Sequence, residues 1–82
     1  MQGEVFKRRF GERVQELRLD SGLSQEALAN TAGLHRTHIS LIERGRRSVR
    51  LETIEQLARA LNVQPGTLMP IIKLGRKKIA DS

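Results

Sequence analysis

The chain has 82 residues, enough for one domain and not two. Lysine and arginine number 15 against 9 acids, a formal charge of +6, while 38% of residues are hydrophobic and 2% aromatic; this is a folded, basic composition. The absence of cysteine excludes disulfides, thiolate zinc sites and cysteine nucleophiles, and no uncharged stretch approaches the ~20 apolar residues of a membrane span.

Without an apolar leader-like segment at its N-terminus, the protein is expected in the cytoplasm. A chain this short buries only roughly 60–65% of its unfolded surface, so the core is thin and self-association would help it.

Helical periodicity runs through the chain, and strand signals are missing. Phe6, Phe10, Val14 and Leu17 step by four, four and three along a first helix that Gly22 ends. Ser24 is a good N-cap for a second helix, which turns Ala27, Leu28 and Ala32 inward and stops at Gly33. A third helix, over residues 36–44, turns Ile39 and Ile42 inward. Residues 45–50 read as an arginine-rich loop. A fourth helix begins near Leu51, with Leu51, Ile54, Leu57, Ala58 and Leu61 as its stripe. Pro65 opens a short fifth helix that Pro70 curtails. The expected domain spans residues 1–70, followed over 71–82 by a short apolar piece and a basic polar tail. Five short helices with tight turns make an all-α bundle. The second and third fall below the ~12–15 residues an isolated helix needs, so packing must hold them.

Residues 25–44 read QEALANTAGLHRTHISLIER. Ala29 sits where the second helix would cross the third and tolerates nothing larger. Gly33 follows where the chain must turn sharply with φ > 0. Ile39 anchors the third helix to the same core. This spacing describes two helices at a steep angle joined by a turn of about three to four residues, a helix-turn-helix. The alternative is a helical hairpin with no binding role.

With these residues in view, the chain resembles the phage-repressor and Cro-type helix-turn-helix regulators, the xenobiotic-response-element family. The likeness lies in LSQEALA at 23–29, AGL at 32–34, Ile39 and Ser40 with Glu43, Arg44 and Gly45, and LETIEQLARAL at 51–61. Within that family it is most similar to restriction–modification controller proteins, through Arg36, Thr37, His38 and Ile39 followed by Glu43, Arg44, Gly45, Arg46 and Arg47. His38 stands where an aromatic residue is usual.

The resemblance implies a lambda-repressor-like five-helix fold that places the third helix tip-first in the major groove of double-stranded DNA. It assigns base contacts to Arg36, Thr37, Ser40 and Leu41, with Arg36 suited to guanine O6 and N7. It assigns a phosphate contact, which positions without reading sequence, to Gln25; His35, His38 and the loop cations Arg44, Arg46, Arg47 and Arg50 are the further phosphate candidates, two or three of these four arginines being expected to touch DNA. The bland counterpart for each is a solvated face. His35 and Arg50 stand where the family places a helix-capping Ser, Thr or Asp. A lost cap costs about 1 kcal/mol unless the side chain serves elsewhere. For His35, a phosphate contact predicts tighter DNA binding below about pH 6.5. Arg18 and Glu43 match positions that form an ion pair between the first and third helices.

His35 and His38 could face one metal, yet no third ligand lies at a recognisable spacing; no cofactor or catalytic motif is present, and the two phenylalanines are committed to the core stripe, which disfavours single-stranded RNA. Leu68, Met69, Ile71 and Ile72 are expected to form a homodimer interface. The expected protein is therefore a dimeric, sequence-specific transcriptional regulator on an inverted repeat, contacting RNA polymerase or occluding it. The competing reading is an antitoxin that uses the same apolar surface to hold a toxin and binds its own promoter.

Overall fold

In the computed structural model, residues 2–70 are described, with side-chain surroundings given from Glu4 onward. They form α1 (Gln2–Asp20), α2 (Gln25–Ala32), α3 (Arg36–Glu43), α4 (Leu51–Leu61) and α5 (Pro65–Leu68), with no strand among the described residues. The expected all-α architecture of five helices is the observed one.

Each helix ends where local chemistry requires it. Ser24 accepts from the Ala27 N–H at 2.9 Å and caps α2. At the other end of α2, Gly33 turns left-handed at φ 73°, and the Leu34 N–H reaches back to the Ala29 carbonyl at 2.9 Å. That bond closes the helix end and aims the chain into α3 after only residues 33–35. Asn62, at φ 60°, ends α4 in the same way.

The core is one cluster: Phe10 and Val14 from α1, Leu28, Ala29 and Ala32 from α2, Ile39 and Ile42 from α3, Leu57, Ala58 and Leu61 from α4, and Leu68 from α5. A fully buried aliphatic side chain contributes about 1.5–3 kcal/mol by leaving water, and this burial holds α2 and α3, at eight residues each, in helical form. Ala29 is 2% exposed, consistent with a close crossing of α2 on α3.

Three sequence expectations change. Leu51, placed on the α4 stripe, is 81% exposed, and Thr53 is buried in its stead at 6%. Leu51 is the first residue of α4 and lies on the flank of the face defined by Thr53, Leu57 and Leu61. Phe6 is 38% exposed, so the buried part of the α1 stripe begins at Phe10. Leu68, assigned to a dimer interface, is 0% exposed in the protomer's own core. Pro65 and the short α5 fold it inward over α1 and α4, so it closes the core and offers no surface to a second chain. Ile71 and Ile72 lie outside the described residues.

Candidate nucleic-acid interface

The inner face of α3 is consumed by packing: Ile39 and Ile42 are buried, and Glu43 is 7% exposed. Its opening turn faces solvent. Arg36 and Thr37 are exposed, and Ser40 and Leu41, one turn on, are half-buried. A helix with an anchored inner face and a polar leading tip is presented outward, as groove reading requires.

His35 caps this helix. Its Nδ1 accepts from the Thr37 N–H at 3.3 Å, so the cap that the sequence reading counted as lost is supplied by imidazole. An accepting Nδ1 places the ring proton on Nε2. The cap uses Nδ1 alone and leaves Nε2 free to donate to a phosphate oxygen. Arg50 makes no side-chain cap at the start of α4.

The far end of α3 is clamped from within. Arg18 holds Glu43 through two bonds, Nε to Oε2 at 2.6 Å and Nη2 to Oε1 at 3.0 Å, and its Nη1 donates to the Leu23 carbonyl at 2.8 Å. The side chains are 9% and 2% exposed. Gln25 joins the network by donating its Nε2 to Glu43 Oε1 at 3.1 Å. The α1–α3 pair anticipated from the sequence is thus present, extended to the first residue of α2. Gln25, assigned to a phosphate, has one amide hydrogen spent on Glu43 and a second left over.

Gly11 makes the same junction possible. A Cβ there would collide with the Ile42 carbonyl oxygen and lie 2.8 Å from that of Glu43. No periodicity argument singles out this residue; the available signal is a glycine inside a helix, which costs about 1 kcal/mol relative to alanine and needs a reason.

The basic residues after α3 divide into two groups. Arg47 and Arg50 join His38, Ser48 and Thr53 around one polar cleft of about 260 Å³. Arg44 and Arg46 line a second depression with Glu4, Lys7, Arg8 and Gly45 beside the first turns of α1. All four arginines are exposed. His38 is half-buried, and desolvation first, then the neighbouring Arg47 charge, holds its pKa below the ordinary 6.5. Ser48 and Thr53 escaped the sequence reading because neither carries a charge and the residue resembling a family contact at the α4 start was Arg50. Met69, the remaining described residue of the expected dimer surface, is 37% exposed. Among the described residues no cluster of metal-ligating side chains occurs, and no helix is long and apolar enough to cross a membrane.

This geometry, a small-residue elbow between two short helices with the second aimed outward, defines a helix-turn-helix DNA-binding domain. The family model described as "Helix-turn-helix domain" matches residues 9–70. Control protein C.BamHI of Bacillus amyloliquefaciens is 49% identical over 67 residues, covering 80% of this chain and 83% of that protein. Control protein C.SmaI of Serratia marcescens is 44% identical over 64 residues, covering 78% and 76%. The crystal structure of the restriction–modification controller protein C.AhdI from Aeromonas hydrophila superposes with a TM-score of 0.75 at 47% identity, covering 76% of this chain and 94% of that one. The chain belongs to the helix-turn-helix family of transcriptional regulators and is similar over most of its length to restriction–modification controller proteins.

Proposed function

We propose that this protein is a restriction–modification controller that binds a specific double-stranded operator as a homodimer and sets transcription from a nearby promoter. One observation carries the reading: α3 is fixed along its inner face by Ile39, Ile42 and Glu43 while Arg36 and Thr37 stand exposed at its leading end. Arg36 is the guanine reader, and Thr37, Ser40 and Leu41 supply methyl, hydroxyl and apolar contacts to neighbouring base edges. Gln25, His35, His38, Arg44, Arg46, Arg47 and Arg50 hold phosphates around it. Two such helices related by a two-fold axis would sit one turn, ~34 Å, apart on an inverted repeat. Occlusion of RNA polymerase, or contact with it, would then convert occupancy into control of transcription.

The controller relatives support this reading over an antitoxin. Its apolar partner surface also shrinks, because Leu68 belongs to the core. Residues 71–82 are proposed as an appendage to the 1–70 domain.

Selection of bound sequences from random duplex DNA tests the proposal. A symmetric consensus is expected. Arg36→Ala should lose about 1–3 kcal/mol of discrimination at one position of each half-site. Arg46→Ala should instead weaken all duplexes alike and reduce the salt slope by about one phosphate. A wild-type pool that stays random after selection overturns the reading.

A further inference from the structure

The cleft between α3 and the start of α4 is built from residues that no other part of the fold explains. His38 reaches it from α3, Arg47, Ser48 and Arg50 from the intervening segment, and Thr53 from α4. Thr53 is only 6% exposed, and among the described residues its side chain makes no hydrogen bond. No fully enclosed polar side-chain atom among the described residues lacks a partner, so the Thr53 hydroxyl opens onto this cleft. A hydroxyl on a buried residue, open to this cleft and unbonded among the described residues, beside two guanidinium groups and an imidazole, is matched to an oxyanion. The start of α4 adds its unsatisfied N–H groups, which no side chain caps.

We propose that this cleft is a phosphodiester-binding subsite in which His38 binds as the imidazolium, so that seating the DNA backbone takes up a proton at His38. The inference rests on the DNA-binding reading above and concerns the regulation of that site. Every charged group lining the cleft is cationic: Arg47 and Arg50. The α4 contribution is the uncharged Thr53, α1 contributes no lining residue, and the α3 carboxylate Glu43 is bound to Arg18. In the free protein, no anion in the cleft favours a charged ring, and burial and Arg47 both favour the neutral one. A phosphodiester reverses this balance: its negative charge offsets Arg47 and gives the imidazolium N–H an acceptor. The pKa of His38 therefore rises on binding, and linkage requires affinity to increase as pH falls through the interval between the free and bound values. Within that interval each pH unit strengthens binding by up to about tenfold per protomer. Acidity thereby becomes an input to the regulator.

The experiment uses the full chain and a duplex selected from a random pool, at constant ionic strength. Calorimetry in buffers of different ionisation enthalpy counts protons taken up, and NMR follows the His38 ring in the free and bound protein. Uptake approaching one proton per protomer is expected, with the His38 pKa raised by the duplex and unmoved by inorganic phosphate at the same concentration of phosphorus. His38→Gln should bind with uptake abolished, and Thr53→Val should bind more weakly with the His38 shift reduced. His35→Gln should retain the uptake whatever its affinity. Binding of the selected duplex without proton uptake, uptake that survives His38→Gln, or an equal shift from free phosphate would each overturn the proposal. Should His38→Gln fail to fold, the wild-type ring titration decides alone. Failure to select any duplex would instead overturn the DNA-binding reading itself.

Discussion

At Gly11 and His38, single residues carry more than their local propensities suggest. Gly11 sits in the middle of α1, where alanine would favour helix by about 1 kcal/mol. The α3 carbonyls of Ile42 and Glu43 leave no room for its Cβ. Gly11→Ala is therefore expected to destabilise the fold by about 1–3 kcal/mol net, measured by urea unfolding; a stabilised variant would show that α1 and α3 are farther apart. His38 predicts a pH effect of defined sign. Its folded pKa lies below 6.5, so below that pH the unfolded chain binds more protons and stability falls with acidification; above it the contribution is flat. His38→Gln should flatten this part of the stability profile. The free protein thus weakens in the direction in which DNA binding strengthens, which separates the two effects by experiment.

At the scale of elements, the α1–α3 clamp is expected to set the angle of α3, the proposed recognition helix. Arg18 binds Glu43 through two bonds and also holds the Leu23 carbonyl just before α2, while Gln25 binds Glu43 from the start of α2. Three helices therefore meet at one carboxylate. Such a pair adds little net stability against a well-packed apolar substitute, and breaking it leaves a buried charge. Glu43→Ala should cost about 3–5 kcal/mol in chemical denaturation. The double variant Arg18→Met with Glu43→Leu should recover most of that loss and still bind the selected duplex with reduced discrimination, because the helix remains packed while its angle is freed. Full discrimination in the double variant would reduce the clamp to a packing detail. The surface pairs Arg8–Glu12, Arg13–Glu16 and Arg59–Glu55 contribute at most about 1 kcal/mol each and fix no angle.

For the molecule as a whole, the proposed homodimer needs a surface on which two copies meet. Leu68 closes the core from α5 and Met69 stands partly exposed beside it. Variants at these neighbours should separate folding from association. Leu68→Glu buries a charge without a partner and is expected to unfold the protomer. Met69→Glu should leave helicity intact by circular dichroism and shift the sedimentation coefficient from dimer to monomer. A dimer that survives Met69→Glu would move the interface to another face, such as the groove of Phe6, Phe10, Val49 and Ile54.

Much of this protein is legible in the order of its residues. Helix periodicity, Ser24 as a cap, Gly33 at the elbow, Ala29 and Ile39 in the core and the Arg18–Glu43 pair all follow from local stereochemistry or from a motif short enough to read along the chain. The misplacements of Leu51 and Leu68 arise elsewhere. An apolar residue advertises burial but not by which surface, and only the fold of α5 over α1 and α4 turns Leu68 inward, while the flank position of Leu51 leaves it outside. His35 as a cap, the two-way division of the arginines and the cleft joining Ser48 and Thr53 to His38 also needed tertiary structure, because they depend on distances between segments rather than on order within one. Sequence alone determined which helices form, where they stop and the class of partner they suit; tertiary packing decided which side chains remain free to meet that partner, since burial and charge proximity are properties of assembled surfaces.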